Sequence, residues 1–185
     1  EIRLRSDVPP NPVSDEKFDE PEWAGNIGLA YAFLPRSKLY GRIYRAYRFP
    51  VVDEFTSYFT GATNADLKQE TSFGYEVGMR YVYTEKLAFD VRGFLINLED
   101  EITYNNATFQ NENLDETRHT GVEGDVLYTP LKYLTLYGGA GYLDATFTKG
   151  PNDGKNIPLV PDWKANVGVE INFGALFRVQ YNYVG

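Results

Sequence analysis

Cysteine is missing from this chain of 185 residues, and histidine and methionine occur once each. Without cysteine there is no disulfide framework and no thiolate zinc site, and a single histidine cannot build a multi-histidine metal centre. Long apolar runs are missing too: the longest nearly apolar stretch, 27–34, falls far short of the roughly 18 residues that suggest a membrane-crossing helix. Positive charge is in deficit. Lys+Arg 18 against Asp+Glu 26 gives a net charge of -8, which sets aside a nucleic-acid partner, normally met by a basic patch or stripe. Catalytic motifs are lacking as well: there is no G-x-S-x-G elbow and no H-E-x-x-H, and His119 has only Thr117, Thr120 and Glu123 as close polar neighbours in sequence. With no assembled set of catalytic roles, the chain is read as a non-enzyme without a cofactor.

Aromatic residues are plentiful instead. Tyr 15, Phe 12 and Trp 2 favour sheet over helix. Residues 72–84 alternate with a period of two: Phe73, Tyr75, Val77, Met79, Tyr81 and Tyr83 on one face, Ser72, Gly74, Glu76, Gly78 and Arg80 on the other. Residues 163–173 repeat the pattern, with Trp163, Ala165, Val167, Val169, Ile171 and Phe173 set against Lys164, Asn166, Gly168, Glu170 and Asn172. Weaker versions at 25–34, 37–48, 87–98, 118–129, 133–147 and 175–184, with an opening 1–5, make nine candidate strands. Soluble strands cluster near 5–6 residues, whereas a tilted membrane strand needs about 9–11. A mean hydropathy of -0.41 does not oppose this, because a barrel strand turns only alternate residues to lipid.

The connections sort by length. Short turns at Pro35-Arg36, Glu85-Lys86, 130–132 and Gly174 alternate with long polar loops at 6–24, 49–71, 99–117 and 148–162. Outer-membrane barrels have short periplasmic turns and long extracellular loops. The even-numbered candidate strands are therefore expected to run inward. Tyr81, Tyr83, Tyr128, Tyr133, Phe173 and Phe177 sit near the short turns, and Tyr47, Tyr104, Phe147 and Trp163 near the long loops, where interfacial girdles belong. The reading is all-β: an antiparallel up-and-down transmembrane barrel segment in the bacterial outer membrane, meeting outer-membrane lipid and lipopolysaccharide. Two alternatives stay open, a self-contained small barrel acting as a passive pore or adhesin, and a soluble β-sandwich that binds sugar.

Four stretches resemble the barrel of TonB-dependent outer-membrane receptors: LYGRIYRAYRFPVVDEF (39–55), NADLKQETSFGYEVGMRY (64–81), NLDETRHTGVEGDVLY (113–128) and IPLVPDWKANVGVEINF (157–173). They fall in the family's order, each at a strand-loop junction. The resemblance implies that residues 1–185 are part of one barrel domain, about nine strands of a larger, 22-stranded barrel. It implies a plug whose TonB box couples import to the inner membrane, outside the stretches seen here. Glu1 in place of Met, and a last strand without the usual closing aromatic, lead to the expectation of a chain cut at both ends.

Within such a barrel, alternation directs Tyr40, Arg42, Tyr44, Glu76, Arg80, Asp90, Arg92, Glu123 and Asp125 toward the lumen, where mixed charge suits a wet interior. Arg48, Phe49, Asp53, Phe55, Tyr58 and His119 lie nearest the outer mouth and are the candidates for contact with a small molecule or metal chelate. The plainer reading of any one of them is a charge pair bracing the wall. The acidic loops 6–24 and 99–117 could hold calcium, but neither has EF-hand spacing, so a solvated acidic rim is expected. The implied function is import of a scarce nutrient such as a ferric siderophore or cobalamin.

Overall fold

The computed structural model describes residues 2–3, 17–18, 22–57, 60–61 and 63–185. Among the described residues twelve strands follow one another: β1 (Ile2–Arg3), β2 (Lys17–Phe18), β3 (Gly25–Leu34), β4 (Ser37–Arg48), β5 (Glu70–Thr84), β6 (Leu87–Glu99), β7 (Ile102–Asn105), β8 (Gln110–Asn113), β9 (Thr117–Leu131), β10 (Leu134–Phe147), β11 (Trp163–Asn172) and β12 (Leu176–Val184). Eight of them form one antiparallel sheet in the order β12-β11-β10-β9-β6-β5-β4-β3. Apart from the pair β6-β9, which brackets a hairpin, each strand pairs with its chain neighbour, as in an up-and-down wall. No described helix is long and apolar enough to cross a membrane, which says nothing of strands.

Two expectations change. The opening 1–5 is not a ninth wall strand: Ile2 pairs with Phe18 and Arg3 with Lys17 in a separate two-stranded ladder. The long loop at 99–117 is not plain coil either, because β7 and β8 form a hairpin within it, Ile102 opposite Asn113 and Asn105 opposite Gln110.

Register divides the wall into two faces. Leu39, Ile43, Tyr75, Val77, Met79, Val91, Val122, Val126, Val167, Val179 and Tyr181 share one face and are exposed. An apolar exposed area of this extent has no place in water and is the surface lipid would cover. Ten residues separate Phe73 from Tyr83, and ten separate Trp163 from Phe173. At about 3.3 Å per residue and a tilt of about 40°, that spans about 25 Å, the height of an outer-membrane apolar band. Near the inner turns Tyr133 stacks on Phe173 with centroids 4.4 Å apart, and Phe33 on Tyr81 at 6.3 Å. In the outer girdle Tyr142 meets Trp163 at 5.0 Å. Two expected girdle members belong elsewhere: Phe147 is buried on the other face, opposite Thr117, and Tyr104 sits on the β7-β8 hairpin.

The inner turns are stitched into a row. The Ser37 hydroxyl accepts the Val82 N–H at 2.9 Å, the Lys86 carbonyl accepts the Thr129 N–H at 2.7 Å, and the Tyr133 carbonyl accepts the Asn172 N–H at 2.8 Å. Tightness at two of the four turns shows in the backbone, where Arg36 (φ 65) and Gly174 (φ 90) occupy the left-handed region.

Candidate functional site at the outer mouth

Two zones of the polar face collect the chemistry. The first is a charge ladder at mid-height. Arg42 and Glu76 are cross-strand partners on β4 and β5, and Arg92 and Glu123 on β6 and β9. Arg42 Nη2 lies 3.1 Å from Glu76 Oε2, Arg92 Nη1 3.6 Å from the same oxygen, and Arg92 Nη2 2.6 Å from Glu123 Oε2. Four strands are thus tied by alternating charges. Below it Arg80 Nη1 reaches Asp90 Oδ2 at 3.5 Å, and Asp90 stands directly opposite Asp125. Tyr40, Arg42, Tyr44, Glu76, Arg80, Asp90, Arg92, Glu123 and Asp125 therefore share one face, as alternation predicts.

Aromatic rings on this face lie over glycines. Tyr40 is opposite Gly78, Tyr44 opposite Gly74, Phe94 opposite Gly121 and Tyr137 opposite Gly168, and in each pair a methyl group on the glycine would fall inside the ring. Arg42 adds its guanidinium over the Tyr44 ring, 4.9 Å from the centroid. The rings lie against the backbone instead of projecting from it, which leaves the polar face smooth.

The second zone is the mouth. Arg48, at the end of β4, donates from Nη1 to both carboxylate oxygens of Glu54 at 2.9 Å and from Nη2 to Glu70 at 3.3 Å. Glu54 also accepts the Val51 N–H at 2.8 Å, which closes the 3-10 turn Val52–Glu54 that carries Asp53 on its exposed side. Phe49 is exposed and sits edge-on to Tyr47 at 5.3 Å. Phe55 is 1% exposed, so its ring supports the loop from inside and presents nothing to a ligand. Tyr58 lies outside the described residues. His119 Nε2 is 3.3 Å from Glu101 Oε2, and the Thr117 hydroxyl donates to that same oxygen at 2.5 Å. Burial pushes the Glu101 carboxyl up, but the bonds from His119 and Thr117 and the charge of Arg48 outweigh it and hold it below its ordinary range.

Residues that sequence reasoning passed over lock the mouth together. The Asn113 carboxamide accepts the Lys68 N–H at 2.7 Å and donates to the Lys68 and Asp100 carbonyls at 3.0 and 2.7 Å. Asn64 donates to the Asn111 carbonyl at 2.8 Å, and Asn111 to the Glu54 carbonyl at 3.1 Å. Leu67 is 1% exposed, and Ile157 packs with Ala145 and Phe147 beside Leu114 and Val160. The signal for these residues lay in the four quoted stretches. Arg48 from the first is held by Glu70 of the second, Asn113 of the third grips Lys68 of the second, and Ile157 of the fourth is buried, so the four meet at the outer end.

A family model for the TonB dependent receptor-like β-barrel matches residues 3–185. The chain belongs to this family. Its fold is similar to that of the copper transporter OprC (TM-score 0.67, 19% identity), covering 87% of this chain and 26% of that one. It is also similar to the ferric yersiniabactin uptake receptor FyuA from Yersinia pestis (TM-score 0.67, 20% identity), covering 88% and 26%. The ferric citrate transporter FecA aligns with a TM-score of 0.61 at 22% identity, covering 88% and 25%. This TonB-dependent receptor segment thus spans about a quarter of the length of the solved receptors it resembles. The family is one of outer-membrane barrels, which agrees with the two-faced wall.

Proposed function

We propose that these residues form a wall sector of a TonB-dependent receptor that captures a scarce nutrient, carried as a metal chelate such as a ferric siderophore, at the outer mouth and admits it through the barrel interior. The observation that carries the reading is the segregation in the eight-stranded sheet: an exposed apolar face, a polar face with a neutralised charge ladder, and folded loops at one end only. A wall with charged groups on one face and aliphatic groups on the other suits a boundary between lipid and a wet interior. In this reading the polar face lines the lumen, and Arg48, Phe49, Asp53 and His119 stand where an arriving ligand meets the rim. The reaction is binding and passage without covalent change. Coupling through TonB would run through other parts of the receptor, since every matched residue falls in the barrel.

The test is uptake by cells carrying or lacking the receptor that contains this segment, grown under metal starvation and offered a panel of radiolabelled metal chelates. Receptor-dependent accumulation of one chelate that stops when the proton gradient is collapsed supports the proposal. Uptake indifferent to the gradient would instead favour a passive pore.

A further inference from the structure

The long loops and the short turns differ in what their cations do. At the outer end several are engaged by acids or amides: Arg45 with Glu22 at 2.6 Å, Lys68 with Asp100 at 3.7 Å, Lys149 with Glu116, and Arg118 with Asn97 at 2.9 Å. Three consecutive inner turns carry Arg36, Lys86 and Lys132, all exposed, against the single acid Glu85. Among the described residues Arg36 and Lys132 have no protein partner, and the Lys86 ammonium makes one bond, to the Pro130 carbonyl at 3.0 Å. A hairpin is two strands wide, so the three cations recur about every 10 Å along the edge. They are held in a row by the stitching of turn to turn described above. Just inside them on the chain lie the stacked rings Phe33, Tyr81, Tyr133 and Phe173, which mark the level of the membrane interface.

We propose that this row of inner turns is a docking surface for the phosphates of anionic phospholipids, with Arg36, Lys86 and Lys132 as the recognising cations. Three cations without an acidic partner, beyond an aromatic belt, sit at headgroup height, where each cation near an anionic surface gains attraction. Charge complementarity favours an anionic headgroup, and the place of the turns, at the end opposite the long loops, favours the inner leaflet. The proposal rests on the transmembrane reading of the wall.

The experiment uses the whole receptor in nanodiscs of phosphatidylcholine alone or mixed with phosphatidylglycerol, and reads the rate of amine acylation at each lysine by peptide mass spectrometry. Phosphatidylglycerol should slow acylation at Lys86 and Lys132 roughly fivefold or more while leaving Lys149 unchanged. In the variant R36Q/K132Q the protection at Lys86 should shrink. Equal rates in the two lipids would overturn the proposal. Resistance to alkaline extraction, measured on the same samples, separates this failure from failure of the membrane reading: a protein that is stripped from the discs in both lipids refutes the wall itself.

Discussion

The wall and the mouth are stabilised in different ways. Among the described residues the buried hydrophobic side chains, Phe55, Leu67, Ala145, Phe147 and Ile157, lie at the outer end, and the two that belong to a spanning strand, Ala145 and Phe147, sit at the outer tip of β10. The mouth is built like a small water-soluble protein, with apolar groups inside and backbone polar groups bonded to Asn64, Asn111 and Asn113. The wall has no interior. Its backbone ladder satisfies the polar groups, one face is apolar and exposed, and charge pairs with ring-on-glycine contacts dress the other. A substitution should thus act by burial in the mouth and by which face it touches in the wall.

The largest effect is expected at Phe55. Truncation to alanine removes a fully buried ring and should cost about 3–5 kcal/mol of local stability. Hydrogen exchange should show the segments around 49–69 and 100–116 opening while the amides of β5 and β6 remain protected. Loss of protection in the wall as well would mean that mouth and wall fold as one unit. Next comes Val169, on the lipid face. Arginine there should cost about 2–4 kcal/mol near mid-membrane, measured by denaturant unfolding in lipid, whereas arginine at Asn166 on the polar face should cost far less. Equal penalties would erase the distinction between faces. Gly168 makes a poor control for that comparison, because the Tyr137 ring occupies the space a side chain would need.

A third substitution probes the polar face alone. Gly78→Val forces its side chain into the Tyr40 ring and should cost about 1–3 kcal/mol, as overpacking does. Adding Tyr40→Ala should recover part of that cost, since residues in direct contact are not additive. Strict additivity in the double-mutant cycle would show that the ring does not rest on the glycine.

How much of this was legible in the sequence follows from the same contrast. Period-two alternation exposed β5 and β11 because every second side chain meets a different environment, and the shared face of the set from Tyr40 to Asp125 follows from counting by twos. The mouth was opaque. Phe55 reads as a rim aromatic because no local periodicity marks it as buried, and Asn113 reads as loop polarity although its carboxamide bridges Lys68 and Asp100. The β7-β8 hairpin was hidden in a stretch whose four-residue strands are too short for periodicity to register. The ring-on-glycine pairs were invisible for another reason: Gly74 and Gly78 are plain in the sequence, but only strand register assigns Tyr44 and Tyr40 to them.

The smallest effect separates mouth from wall by pH. Glu101 has a folded-state pKa held below its ordinary value of 4.5 by His119, Thr117 and Arg48, in spite of its burial. A carboxylate with a depressed pKa contributes stability that is fully present above the unfolded-state value and is lost as pH falls through the folded-state value. The 100–116 segment should therefore loosen only below about pH 4.5, read as faster hydrogen exchange at Leu114, whose N–H is bonded to the Glu101 carbonyl at 2.7 Å. Glu101→Gln should flatten that acid limb, with a loss at neutral pH of about 1 kcal/mol or less, since the group keeps part of its solvent contact. The wall strands β11 and β12, two and three places from β9 in the sheet order, should show no matching step. If they loosened in parallel with the mouth, the acid sensitivity would belong to the whole sheet, and the division between a lipid-solvated wall and a water-soluble mouth would fail.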